Sequence, residues 1–285
     1  MNDGTTAVND TSRLTNEWFA AIDGCVLDMD GVLYRGNTVI DGVPTFLDAL
    51  DHAGIRYTMA TNNSTNTPEQ YVAKLAAMGI TVAPAAIVTS GVATATYLRA
   101  TYPPGTRIYV LGMDALHAAV FADDYFSRAD RDAEVVVSGA HFELRYDYLK
   151  TACLAIRDGA TYVATNADKT FPSEEGLIPG AGGIVAALTA ATDVDPVVIG
   201  KPSPEMVQSC LRIMGTDARR SLMIGDRLDT DILAGQRAGT QTLLVLTGVS
   251  TAADVARTGI HPELTVPTLE PLTALAEQRA DFRST

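Results

Sequence analysis

Asp28-Met29-Asp30-Gly31 is the segment whose residue types and spacing could most directly do chemistry. Two carboxylates and a glycine follow straight on the apolar run Cys25-Val26-Leu27. A strand ending this way presents its acids where open α/β sheets bind ligands, at the carboxyl ends of their strands. One carboxylate there can act as a nucleophile, and an acid two residues on can protonate a leaving group and then activate water. An Asx-type turn, with the aspartates bonding their own backbone, accounts for the same four residues equally well. A calcium loop does not. It needs Gly at its sixth position and Glu at its twelfth, and counted from Asp28 those places hold Leu33 and Val39, with Gly31 fourth.

Three more segments set polar residues directly after an apolar run: Thr61-Asn62-Asn63-Ser64, Gly200-Lys201-Pro202-Ser203, and Gly225-Asp226 followed by Asp231. Each alone reads as a helix cap, a turn or a solvated loop end. Together they supply two acidic clusters suited to a hard divalent cation, one lysine, and hydroxyl and amide donors beside a helix start. That set suits a bound phosphate.

The elements that must position these residues follow from periodicity. Short apolar runs recur at Cys25–Leu27, Tyr57–Ala60, Ile87-Val88, Ile108–Leu111, Val135–Val137, Thr161–Ala164, Val197–Ile199, Leu222–Ile224 and Leu243–Leu246. Continuous runs of this kind belong to strands buried on both faces of a parallel sheet. Between them, Pro68–Met78, Tyr146–Arg157, Pro204–Met214 and Asp229–Arg237 carry apolar residues at helical spacing, and Gly79, Gly159 and Gly215 stand where helices stop. The fold class is therefore α/β. Turn chemistry at Tyr102-Pro103-Pro104-Gly105 and near Asp193-Val194-Asp195-Pro196 marks residues 105–195 as an inserted domain, with 1–104 and 196–285 forming the other.

Composition narrows the function classes. A net charge of −13 and a pI near 4.6 repel nucleic-acid polymers and anionic membranes, so an anionic substrate must be held by local positive charge. No apolar run reaches the ~18 residues of a membrane span, and the first sixteen residues are polar, so a cytoplasmic protein with residues 1–16 disordered is expected. The three cysteines, Cys25, Cys153 and Cys210, are far apart and read as buried thiols. His52, His117, His141 and His261 share no metal-binding spacing and read as surface or capping residues. Gly180-Ala181-Gly182-Gly183 lacks the full dinucleotide pattern and reads as a tight turn opening a helix.

In order and spacing the four polar segments resemble the four motifs of the haloacid dehalogenase superfamily, over almost the whole chain after residue 20. Gly31–Gly36, Thr61–Thr65, Ala164–Asp168 and Pro179–Gly182 are similar to its NagD-like or 4-nitrophenylphosphatase-like branch. The resemblance implies a Rossmann-like, doubly wound, mostly parallel core carrying an α/β C2-type cap at 105–195. It implies Asp28 as nucleophile and Asp30 as general acid and then base. It implies Mg²⁺ held by the Asp28 side chain, the Asp30 carbonyl and Asp226, with Asp231 in support. Thr61, Asn62 and Asn63 become phosphate donors, and Lys201 the cation pairing with nucleophile and phosphoryl oxygens.

Physical chemistry supplies reasons for these roles. One like-charge pair at about 4 Å costs roughly 4 kcal/mol at an effective dielectric of about 20, and Mg²⁺ with Lys201 would offset it. Within the superfamily, Asp at position 30 favours a phosphatase or mutase over a dehalogenase or P-type ATPase. The short span from Asp28 to Thr61 leaves no room for a mutase-type cap. The expected function is Mg²⁺-dependent hydrolysis of small phosphate monoesters through an aspartyl-phosphate. The alternative is a non-catalytic phosphate-ester binding or interaction protein on the same fold. In the cap, Arg145, Asn166 and Asp168 are candidates for substrate contact, with the loop from Asn166 to Phe171 over the site, and the resemblance implies that a homodimer would form through the cap.

Overall fold

The computed structural model describes residues 14–173 and 175–283. Helix α1 (Asn16–Ala20) leads into β1 (Gly24–Asp28), the hairpin strands β2 (Tyr34–Arg35) and β3 (Thr38–Val39), α2 (Val43–His52), β4 (Arg56–Thr61), α3 (Pro68–Ala77), β5 (Ile87–Thr89) and α4 (Ser90–Thr101). Next come β6 (Arg107–Leu111), α5 (Asp114–Val120), β7 (Ser127–Arg128), β8 (Val135–Ser138), α6 (Tyr146–Arg157), β9 (Thr161–Ala164), β10 (Thr170–Ser173), β11 (Gly176–Pro179), α7 (Ala181–Thr192) and β12 (Val197–Val198). Then follow α8 (Pro204–Met214), β13 (Ser221–Gly225), α9 (Leu233–Ala238), β14 (Gln241–Val245), α10 (Ala252–Thr258), β15 (Leu264–Val266) and α11 (Glu270–Arg283).

A six-stranded sheet runs in the order β15-β14-β13-β1-β4-β5. Its pairings from β15 through β4 are parallel. Strand order reverses at β1, because β4 and β5 build outward on one side and β13 to β15 on the other. Such a switch point opens a crevice at the carboxyl ends of its central strands. Cys25, Val26 and Leu27 of β1 are fully buried, as an apolar run sandwiched between helix layers should be. Helix α8 takes Pro204 at its start, turns Met206, Val207, Cys210 and Met214 inward, and ends on Gly215 at φ 62°. A second sheet, β12-β9-β8-β6-β7, is also parallel throughout. Both sheets match the α/β reading.

The chain divides into two compact units, one drawn from Met1–Ala60, Val72–Ile87 and Lys201–Thr285, the other from Thr61–Tyr71 and Val88–Gly200. The Tyr102–Gly105 turn lies inside the second of these, where Gly105 N–H donates to Tyr125 O at 2.7 Å.

Some local expectations need correction. Asp229–Arg237 is not one regular helix: Leu228–Ile232 is wound as a π turn, with Ile232 N–H reaching Arg227 O at 3.2 Å, before α9 begins. Thr170 and Phe171 belong to the antiparallel β10–β11 hairpin, so the loop that begins at Asn166 ends at Lys169. Cys25 and Cys210 are buried, but Cys153 is only half-buried. Residues 1–13 lie outside the described residues. Of the stretch expected to be disordered the structure thus includes Leu14 to Asn16, where Thr15 caps α1 by accepting Trp18 N–H at 3.1 Å. Gly180 is the N-cap of α7, as expected.

Candidate active site

Parallel strands in register end together, so the residues that follow them share one edge. Asp28 closes β1 opposite Ala60 of β4, and Leu27 pairs with Ile224, which places Asp226 just beyond the end of neighbouring β13. The π turn brings in Asp231. Asp28, Asp226 and Asp231 each offer a carboxylate oxygen, all within 4.8 Å of one another. Oxygen donors in such a cluster suit a hard divalent cation. Lys201, only 3 % exposed, lies among them. Its ammonium bonds Asp28 Oδ1, Asp231 Oδ1 at 2.8 Å and the carbonyl of Ala60 at 3.3 Å. The Lys201–Asp231 pair was not foreseen from sequence. It turns a residue expected only to support a metal into part of the charge cluster.

Three carboxylates against one ammonium leave two negative charges uncompensated. The acids respond accordingly. Burial pushes the Asp28 carboxyl well up; Lys201 opposes this, while Asp231 and Asp226 push the same way as burial. Burial, with Asp231 next, raises Asp226 to about 6. For Lys201 burial alone would lower the ammonium, but the Asp231 and Asp28 carboxylates outweigh it and hold the group firmly protonated.

Asp226 is fixed by the segment after β14: Val249 N–H donates to its Oδ2 at 2.6 Å, and Ser250 N–H to its backbone carbonyl at 2.9 Å. Gly248 and Gly31 make room for it. A Cβ on Gly248 would lie 1.9 Å from Asp226 Oδ2, and one on Gly31, at φ +85°, would lie 2.5 Å from the same atom. Thr247 Oγ1 ties the two segments by donating to Gly31 O at 2.6 Å. The turn after β1 is closed by main-chain bonds, Gly31 N–H to Tyr34 O at 2.8 Å and Leu33 N–H to Met29 O at 2.9 Å, while the Asp28 side chain faces Lys201. That decides against the plain Asx-turn reading of this segment. Asp30 is exposed, yet desolvation by the protein around its carboxyl raises its pKa against the pull of Lys74 and Lys201. Lys74 Nζ stands 4.0 Å above the Tyr34 ring.

The remaining expected residues gather within the second compact unit. Thr61 is the last residue of β4 and its hydroxyl accepts Asn63 N–H at 3.2 Å. Asn63 turns its side-chain carbonyl to Thr65, whose N–H and hydroxyl reach it at 2.7 and 2.8 Å, as in an Asx turn. Asn62 meets both Asn166 and Asp168. Arg145 has another place, at the N-cap of α6 with its guanidinium 5.9 Å from the Tyr148 ring centre. Sequence reasoning missed Thr247-Gly248-Val249-Ser250 and Lys74. The first carries the signal used elsewhere, polar residues directly after an apolar strand; Lys74 carries none.

Comparison with known proteins decides the lineage. A family model for haloacid dehalogenase-like hydrolases matches residues 25–126, and a second, HAD-hydrolase-like model matches 198–272. The chain belongs to the haloacid dehalogenase-like hydrolases. It is 40% identical over 237 residues to an acid sugar phosphatase of Staphylococcus aureus, covering 83% of this chain and 91% of that one. The crystal structure of a 4-nitrophenylphosphatase from Thermotoga maritima is similar at 37% identity and a TM-score of 0.82, covering 90% of this hydrolase and 98% of that chain. NagD from E. coli K-12 matches at 30% identity and 0.82, covering 87% and 97%. The hydrolase is thus NagD-like.

Proposed function

We propose that this hydrolase is a Mg²⁺-dependent phosphatase that cleaves small phosphate monoesters through an aspartyl-phosphate on Asp28. The observation that carries this reading is the Asp28–Lys201–Asp231 ion cluster with Asp226 beside it at the ends of β1 and β13. The donor set fits Mg²⁺, since all three side chains offer hard oxygen ligands and their excess negative charge calls for a divalent cation. Asp28, Asp226 and the Asp30 carbonyl would hold it, with Asp231 behind them. When bound it would neutralise negative charge on the nucleophile and the phosphoryl oxygens.

In the first step an Asp28 carboxylate oxygen attacks phosphorus and the ester P–O bond breaks, its electron pair leaving with the alcohol oxygen. Asp30 gives that oxygen a proton; its raised carboxyl supports a role as acid. In the second step water attacks phosphorus while Asp30 takes its proton, the Asp28–phosphorus bond breaks, and the carboxylate is restored. Lys201 holds Asp28 in place and lowers the repulsion between carboxylate and phosphate. Thr61, Asn62 and Asn63 supply phosphate donors in this reading.

The relatives' names, acid sugar phosphatase and 4-nitrophenylphosphatase, support monoester hydrolysis. Residues 105–195 would serve as the cap on a core of 1–104 and 196–285. A net charge of −13 supports a small-molecule substrate over a nucleic-acid polymer. Among the described residues no helix is long and apolar enough to cross a membrane, and we assign the activity to the cytoplasm. The test is phosphate release from a panel of sugar, nucleotide and aryl monoesters with and without Mg²⁺. Mg²⁺-dependent release is expected. No release from any ester, or equal release in excess chelator, would overturn the proposal.

A further inference from the structure

Within the second compact unit, Asn62 is gripped from several directions. Its side-chain nitrogen donates to both carboxylate oxygens of Asp168, at 3.2 Å each. Its backbone carbonyl accepts the Asn166 side-chain amide at 2.7 Å and the Ser90 hydroxyl at 2.5 Å. Asn166 is 4 % exposed and its own side-chain carbonyl takes the Asp168 N–H at 3.1 Å, so the two cap-loop residues are braced against each other. On the other side, a Cβ on Gly200 would come 2.7 Å from Asn62 Oδ1, so the glycine lets the main chain close against the amide oxygen.

A carboxylate only accepts hydrogen bonds, whereas an amide has a donating end and an accepting end. With Asp168 ionised, only one of the two amide orientations of Asn62 is favourable, the one with nitrogen toward Asp168. We propose that Asp168 and Asn166 are positioning residues for Asn62. They act on the phosphoryl-binding amide, and so on all esters alike, and do not choose the leaving group. This rests on the phosphatase reading above, in which Asn62 is a phosphate donor. With the amide turned over, Oδ1 would face the anion and repel it.

The test is steady-state kinetics of Asp168→Ala and Asp168→Asn on a panel of esters with different alcohols, beside Asn62→Ala and the double variant Asn62→Ala/Asp168→Ala. Both Asp168 variants should raise KM about tenfold, the usual worth of one hydrogen bond to a charged group, with kcat little changed and the ranking of esters preserved. Asp168→Asn keeps the shape of the side chain, and a merely steric role would leave it like wild type. The double variant should lose no more than Asn62→Ala alone. A changed ranking, additive losses, or wild-type behaviour of Asp168→Asn would overturn the proposal. A readout independent of turnover is the Asn62 side-chain NH₂ resonance in ¹⁵N-labelled protein, assigned by its loss in Asn62→Asp. It should move in both Asp168 variants, and an unmoved resonance also overturns the proposal. If wild type hydrolyses no ester, the phosphatase reading fails while this resonance still decides the clamp.

Discussion

Lowering the pH should make the metal-free protein more stable, against the usual trend for a protein with this many acids. Asp226 is buried and its carboxyl is raised from 3.8 to about 6. Between those two values the native state binds more protons than the unfolded chain, so stability rises as pH falls. From pH 7.5 to pH 5 Asp226 alone contributes about 1.4 kcal/mol, or about 2 to 3 °C in Tm for a chain of this size. The acids held low, Asp23 by Arg220 and Asp254 at about 2 by the Thr251 N–H and Arg257, lose stability only below this window, while His117, held below its ordinary 6.5 by burial and Arg128, offsets part of the rise within it. The assay is a set of thermal melts in excess chelator and in excess Mg²⁺. With Mg²⁺ the rise should vanish or reverse, because the cation and the proton compete for the same carboxylates. Asp226→Asn should remove its share of the rise in chelator and leave the part that the raised Asp28 carboxyl contributes. A metal-free Tm that stays level or falls from pH 7.5 to 5 would refute the reasoning.

Other substitutions test other parts of the cluster. Lys201→Met leaves Asp28 and Asp231 buried without their cation and should lower metal-free stability by about 3 kcal/mol or more, with excess Mg²⁺ restoring part of it; equal losses with and without Mg²⁺ would contradict the shared charge balance. In Gly248→Ala the new Cβ would lie 1.9 Å from Asp226 Oδ2, so the carboxylate must shift by about 1.5 Å, and a shift of that size should weaken Mg²⁺ binding and lower turnover about a hundredfold. Calorimetric titration with Mg²⁺ checks this. Asp30→Asn should slow esters of poorly departing alcohols far more than nitrophenyl phosphate, measured as kcat for each; equal losses would rule out its role as acid.

The sheet and its reactive edge were legible because the relevant signals are local. Cys25-Val26-Leu27 is a fully buried run, and the polar residues that follow it occupy the strand end by necessity. Pro204 and Gly215 bounded α8 for equally local reasons. What escaped depends on partners distant in sequence. The π turn at Leu228–Ile232 goes with the Arg227 N–H reaching Asp231 Oδ2 at 3.0 Å, and nothing in the helical spacing announces it. Hairpin β10–β11 contains Pro172, which weakens any strand reading. Gly31 and Gly248 gain their meaning only from the Asp226 carboxylate between them. The grip of Asp168 on Asn62 joins residues 106 apart, so sequence alone marked both without linking them.

The central claim is the covalent bond to Asp28, and the most direct measurement is to trap it. Turnover of a phosphate-labelled ester is quenched in acid within the first cycles, and the digested protein is mapped by mass spectrometry. Wild type should carry one phosphoryl group on the peptide containing Asp28, and Asp28→Asn should be folded, unlabelled and inactive. Steady turnover by wild type with no label on that peptide, or appreciable activity in Asp28→Asn, would contradict the account.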